Sequence, residues 1–119
     1  MNLSQLRQQV MFQTGNDAAD LGDFQPHLTD YLNEGCFRLM QAYHGQDAPW
    51  EPLQHEKSMP DLPQWLHRAI ADYATWMVYR NGSPQKQNRG AVFLRTFNDA
   101  LLRARSARAE EASIHGIPL

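Results

Sequence analysis

Leu66, Ala69, Ile70, Tyr73, Ala74 and Met77 recur at steps of three and four, with Trp76 at the margin of the stripe. This is the apolar period of a helix that buries one face. A few residues later the chain reads Asn81-Gly82-Ser83-Pro84. Asn-Gly is a helix C-cap, and Ser-Pro is the next N-cap and first helical position. One helix therefore stops and another starts with almost no loop, which forces the two to pack as neighbours. Val92, Phe93, Leu94, Phe97, Leu101 and Leu102 supply the second helix with its own apolar positions, and it is expected to run from Ser83 to about Glu110.

The rest of the chain can be read in the same terms. Leu3, Leu6 and Val10 predict a helix over 3–13, with Asn2 as N-cap and Gly15 as stop. Pro26 suits the first turn of a second helix, striped by Leu28, Tyr31, Leu32, Cys36, Leu39, Met40 and Tyr43 and ended by Gly45. Gly35 lies inside that helix, where glycine costs about 1 kcal/mol against alanine and commonly permits close approach of another helix. Residues 45–60 hold three prolines and no periodicity, so they read as a long surface loop. Asp61 is expected to cap the third helix, with Pro63 in its first turn. No stretch alternates as a strand does and no internal repeat occurs. The fold class expected is an all-α, small four-helix domain, with a long loop between helices two and three and a flexible C-terminal tail. The domain covers 1–105, with 106–119 as a C-terminal extension that orders against a partner.

A length of 119 residues fits one such domain. No apolar run is long enough to span a bilayer, so no membrane partner is expected. The first ten residues lack a charged-then-apolar signal pattern, so secretion is not expected. The single cysteine, Cys36, excludes an internal disulfide and sits on an apolar stripe, where a free thiol packs as a small hydrophobe. Five histidines occur without zinc spacing, and neither a phosphate-cradling glycine loop nor a serine elbow is present. Asp17, Asp20 and Asp23 repeat every third residue rather than every second, which is not a calcium-loop pattern. These residues therefore give no expectation of a catalytic site, a metal or a cofactor.

Charge is the stronger signal. Residues 1–64 carry three basic and nine acidic groups, a net of −6, whereas 80–108 carry seven basic groups and only Asp99, a net of +6. Arg95, Arg103 and Arg105 fall away from the Phe93/Phe97/Leu101 stripe. They can simply solvate a helix, or form a basic face for a polyanion or for an acidic neighbour. Arg80, Lys86, Arg89, Arg95, Arg103 and Arg105 are thus candidate contacts to a neighbouring subunit or to DNA. Asp17, Asp20 and Asp23 form a candidate acidic partner surface. Trp50, between Pro49 and Pro52, is a candidate interface aromatic. Trp65 and Trp76 read as core.

The phrase "QWLHRAIADYATWMVYRNGSPQKQNRGAVFLRTF", with the upstream "QTGNDAADLGDFQPHLTDYLNEGCFRLMQAY", resembles small phage and prophage head-tail connector, or adaptor, proteins. The likeness spans residues 3–105 and rests on the helix pattern and on the "YRNG-P-KQNRG" and "Y-NEG" phrases. It implies a small helical protein that forms a homo-oligomeric ring under the portal protein, meets a tail-side neck protein and continues the DNA channel. It implies a structural component of the virion neck, assembled in the bacterial host cytoplasm, and not an enzyme. The residues leave two other readings open. One is a small DNA-binding or regulatory module using helices three and four. The other is a tail-completion protein of the same neck.

Overall fold

Four helices enclose one another in the computed structural model, which describes residues 1–15 and 25–114. They are α1 (Leu3–Gln13), α2 (Leu28–His44), α3 (Gln64–Tyr79) and α4 (Pro84–Ile114), with a 3₁₀ turn at Gln25–His27 leading into α2. There is no strand among the described residues, and the fold is all-α. Asp17, Asp20 and Asp23 lie outside the described residues, as do 115–119.

The central element is α3. Leu66, His67, Ala69 to Thr75 and Met77 to Tyr79 are all buried, so from Ala69 onward this helix is covered on nearly every side instead of along one stripe. The other three helices pack around it. Two glycines make this closeness attainable. A Cβ on Gly35 of α2 would lie 2.9 Å from Tyr73 Cβ, and one on Gly90 of α4 would lie 2.9 Å from Tyr79 Cβ. Both contacts are to the root of a side chain, which cannot swing aside.

The helix ends follow from local chemistry. Asn2 accepts from Gln5 N at 2.9 Å, and Gln5 Oε1 accepts from Asn2 N at 2.8 Å, closing a capping box. The other free amides of the first turn of α1 reach the long loop: Leu3 N donates to Ser58 O at 3.0 Å, and Ser4 N to Glu56 O at 3.1 Å. Asn33 on α2 pairs with both backbone groups of Leu53, donating at 3.1 Å and accepting at 2.6 Å. Arg7 binds Glu56 at 2.6 Å. The long surface loop over 45–60 is as expected, and it is fastened to α1 and α2 by its own backbone, with Leu53 and Pro60 buried.

Two expectations are corrected. Asp61 does not cap α3: Pro63 occupies the N-cap position without a side-chain bond, and the Asp61 carbonyl accepts from His44 Nε2 at 2.7 Å. Trp65 is 51% exposed, since it precedes the buried stretch of α3 and leans on Tyr43. Helix α4 runs to Ile114, one turn past the Glu110 expected for its end. Nothing between Ala104 and Ile114 breaks a helix, and alanines and arginines favour one.

Buried polar groups on α3 are partnered. Asp72 accepts from Gln13 Nε2 at 2.7 Å, and Thr75 Oγ1 donates to Gln13 Oε1 at 2.6 Å, so one glutamine of α1 serves both. Burial pushes the Asp72 carboxyl above its ordinary value of 3.8, against the Gln13 hydrogen bond and the charge of Arg68. Burial likewise pushes His67 below its ordinary value. Its Nδ1 accepts from the N-terminal amine at 2.5 Å, and its Nε2–H donates to Leu62 O at 2.9 Å.

Two outcomes are expected. Gly35→Ala gains about 1 kcal/mol of helix propensity but meets Tyr73 at an overpacking cost of about 1–3 kcal/mol. The variant should melt several degrees lower in a thermal scan, and an unchanged or higher Tm would contradict the close approach. Asp72→Asn keeps the acceptor for Gln13 and removes a buried charge. A raised folded-state pKa means that the cost of the charge is absent below 3.8 and grows as pH rises through the folded value. The variant should therefore be the more stable at pH 7, with the difference closing on acidification.

Candidate functional site

Helix α4 carries most of the residues in question, and its geometry decides which of them act together. Thirty-one residues make it about 46 Å long. One stripe is sealed against the core: Gly90, Phe97 and Ala104 are buried, with Phe93, Leu94, Ala100 and Leu101 half-buried beside them. On the opposite side lie Val92, Arg95, Asp99 and Leu102, all exposed and spaced three, four and three apart. Val92 is 55% exposed and Leu102 59%. Both belong to this outer face and not to the Phe93/Phe97/Leu101 stripe. At ~100° per residue, each falls more than a quarter-turn from Phe97.

The basic residues of α4 do not all share one face. Arg103 and Arg105 are two residues apart and so point ~160° away from each other around α4. Arg89, Arg95, Arg103 and Arg105 are all exposed but spread around the helix. Arg80 lies over the Trp76 ring at 5.8 Å, at the end of α3. The polar turn from Gln85 to Arg89 is partly a matter of capping: Ser83 Oγ accepts from Lys86 N at 3.3 Å, and Gln87 Nε2 donates to Gly82 O at 3.1 Å. Arg89 also borders a shallow apolar groove of about 460 Å³ with Gln13, Tyr79, Val92 and Phe93.

What the fold does bring together is a different set. Arg105 and Arg108 of α4 face Arg38 of α2 across a groove of about 230 Å³, floored by Ala42 and Leu101 and flanked by Gln41 and Gln46. Sequence reading counted Arg38 with the acidic half and left Arg108 out of the site. The three-residue spacing from Arg105 to Arg108 marks them as neighbours, but only the pairing of α2 with α4 adds Arg38.

Trp50 packs on Phe37 with ring centroids 5.1 Å apart and is half-buried against the core. Its Nε1 is enclosed and has no hydrogen bond of ordinary geometry, and the nearby Cys36 sulfur is its weak electrostatic partner. Cys36, Met40, Trp50, Leu53 and Met59 line a cavity of about 450 Å³ beneath the loop. Among the described residues no group of three His, Cys, Asp or Glu side chains could hold a metal ion. No helix among them is long and apolar enough to cross a membrane.

No family model, curated protein or solved structure matches the chain.

Burial pushes the Cys36 thiol from 9.0 up to about 11, outweighing the indole contact. Near neutral pH its thiolate is then about 100-fold scarcer than in the unfolded chain. Native protein should react with a thiol reagent at least that much more slowly than protein in denaturant. Rapid native labelling would show Cys36 to be open to solvent.

Proposed function

We propose that the chain is a structural adaptor of a phage neck, assembling as a ring between a portal and tail-side proteins so that the DNA channel continues through it. The observation that carries this reading is the outer face of α4. A helix whose inner stripe is already sealed by α2 and α3 has no intramolecular use for Val92 and Leu102, yet it displays them with Arg95 and Asp99 between them. Apolar positions at both ends of a short stripe, with one cation and one anion inside it, suit another protein surface better than water.

A ring further requires two unlike surfaces on each subunit. Phe12, Met59 and Trp65, which lie on other elements, are also exposed. They supply apolar contacts apart from the α4 face. The likeness to head-tail connectors described above supports the same reading. In it the chain is a building block and not an enzyme. Its working location is the virion neck, and its partners are copies of itself, the portal and a tail-side protein.

The reading is tested by pairing Val92→Glu with Leu102→Glu. Both side chains are more than half exposed, so the double variant should keep its helical content and Tm. It should also lose co-assembly with the portal protein of the same phage, followed as the mass of the complex. Co-assembly undiminished in the variant would remove α4 from the interface. No multi-copy complex with wild-type protein would overturn the adaptor reading itself.

A further inference from the structure

The groove between α2 and α4 holds three guanidinium groups and no carboxylate among its seven lining residues. Like charges do not converge without a cost, and the three guanidinium groups differ in what offsets it. Arg38 is 3.4 Å from Glu34, a carboxylate outside the lining, and lies over the Tyr73 ring at 5.5 Å. Arg108 lies over Gly45, where a Cβ would be 3.5 Å from its Cζ and Nη2, so the glycine leaves it room. Gly45 ends α2, and the negative end of that helix dipole favours a cation there. Arg105 has neither device, and neither Arg105 nor Arg108 forms an ion pair among the described residues. One carboxylate and one helix end do not balance three full charges, so the groove keeps a positive surplus.

We infer that this groove takes a phosphate group of the DNA backbone, gripped by Arg38, Arg105 and Arg108. The chemistry favours phosphate over a carboxylate. A planar carboxylate is satisfied by one guanidinium fork in one plane, whereas a tetrahedral phosphate can accept donors from several directions. Here the donors come from two helices, with the amides of Gln41 and Gln46 beside them. The groove is open at the surface, and Arg38, Arg105 and Arg108 are all exposed. A phosphate within a polymer can therefore enter sideways, without being enclosed as a free ion would be. Contact of this kind is independent of base sequence. The inference rests on the adaptor reading for its setting, since a channel brings DNA past the subunit, but it is tested on the isolated chain.

A labelled duplex is titrated with wild-type protein, with a triple variant carrying Arg38→Gln, Arg105→Gln and Arg108→Gln, and with a control carrying Arg95→Gln and Arg103→Gln. All five substitutions are at exposed positions, and circular dichroism checks that each protein is folded. Wild-type affinity should fall with added salt. The triple variant should bind at least about tenfold more weakly, with a salt slope shallower by roughly two to three. The control should lose distinctly less. Equal loss in control and triple variant would overturn the groove and leave diffuse charge. A separate arm adds inorganic phosphate alone. If that raises the Tm of wild type but not of the triple variant while duplex does not bind, the source is a free phosphate and the DNA assignment fails. Groove-dependent DNA binding by a protein that forms no portal complex would keep this inference and remove the adaptor reading.

Discussion

The structure depends on how closely α2 and α4 can approach α3. A helix covered on all sides needs neighbours with little bulk at the crossing points. Gly35 and Gly90 supply that, each facing the base of a tyrosine side chain. With those approaches closed, Leu32, Leu39 and Phe97 are buried, and the loop between α2 and α3 can lie across the ends of α1 and α2. The helix propensity given up at each glycine is about 1 kcal/mol, small beside the packing it permits.

Everything functional in this account follows from that enclosure. Because α3 is enclosed from Ala69 to Tyr79, only its first turn, with Trp65 and Arg68 exposed, is left to meet a partner. Because α4 seals one stripe against α2 and α3, its far side from Val92 to Leu102 is left exposed. The outer face with Val92 and Leu102 and the groove with Arg38, Arg105 and Arg108 lie on different sides of the same helix. One suits a protein neighbour and the other an oxyanion. Because the two lie on different sides, one long helix can serve both contacts without conflict, as the proposed adaptor role requires.

Much of this was legible in the sequence. The bounds of α1, the end of α2 at Gly45, the α3 stripe and the Ser83-Pro84 start of α4 all follow from caps and period, because these are local properties, whereas α3 ends one residue before the expected Asn81-Gly82 cap, with Arg80 as its C-cap. The significance of Gly35 was legible too, since a glycine inside a strong helix calls for a steric reason. The rest depends on tertiary context. The loop over 45–60 has no period, so nothing local announced that its carbonyls would receive the free amides of α1. Trp65 looks like core by residue type, but it sits one position before the buried run begins. Val92 and Leu102 look like core because apolar residues usually are. The basic set was drawn from clustering along the chain, whereas a helix scatters such a cluster around its axis. Arg38 joins Arg105 and Arg108 only through folding.

The enclosure of α3 is the claim on which the others stand, and native-state amide hydrogen exchange on the isolated chain tests it most directly. If α3 is held from every side, its amides from Ala69 to Val78 open only when the whole chain unfolds. They should be the slowest to exchange, with a common free energy equal to that of global unfolding. The end of α4 beyond Arg108 should exchange far faster. Exchange from α3 through cheap local openings, or protection concentrated in α1 or in distal α4, would contradict the account.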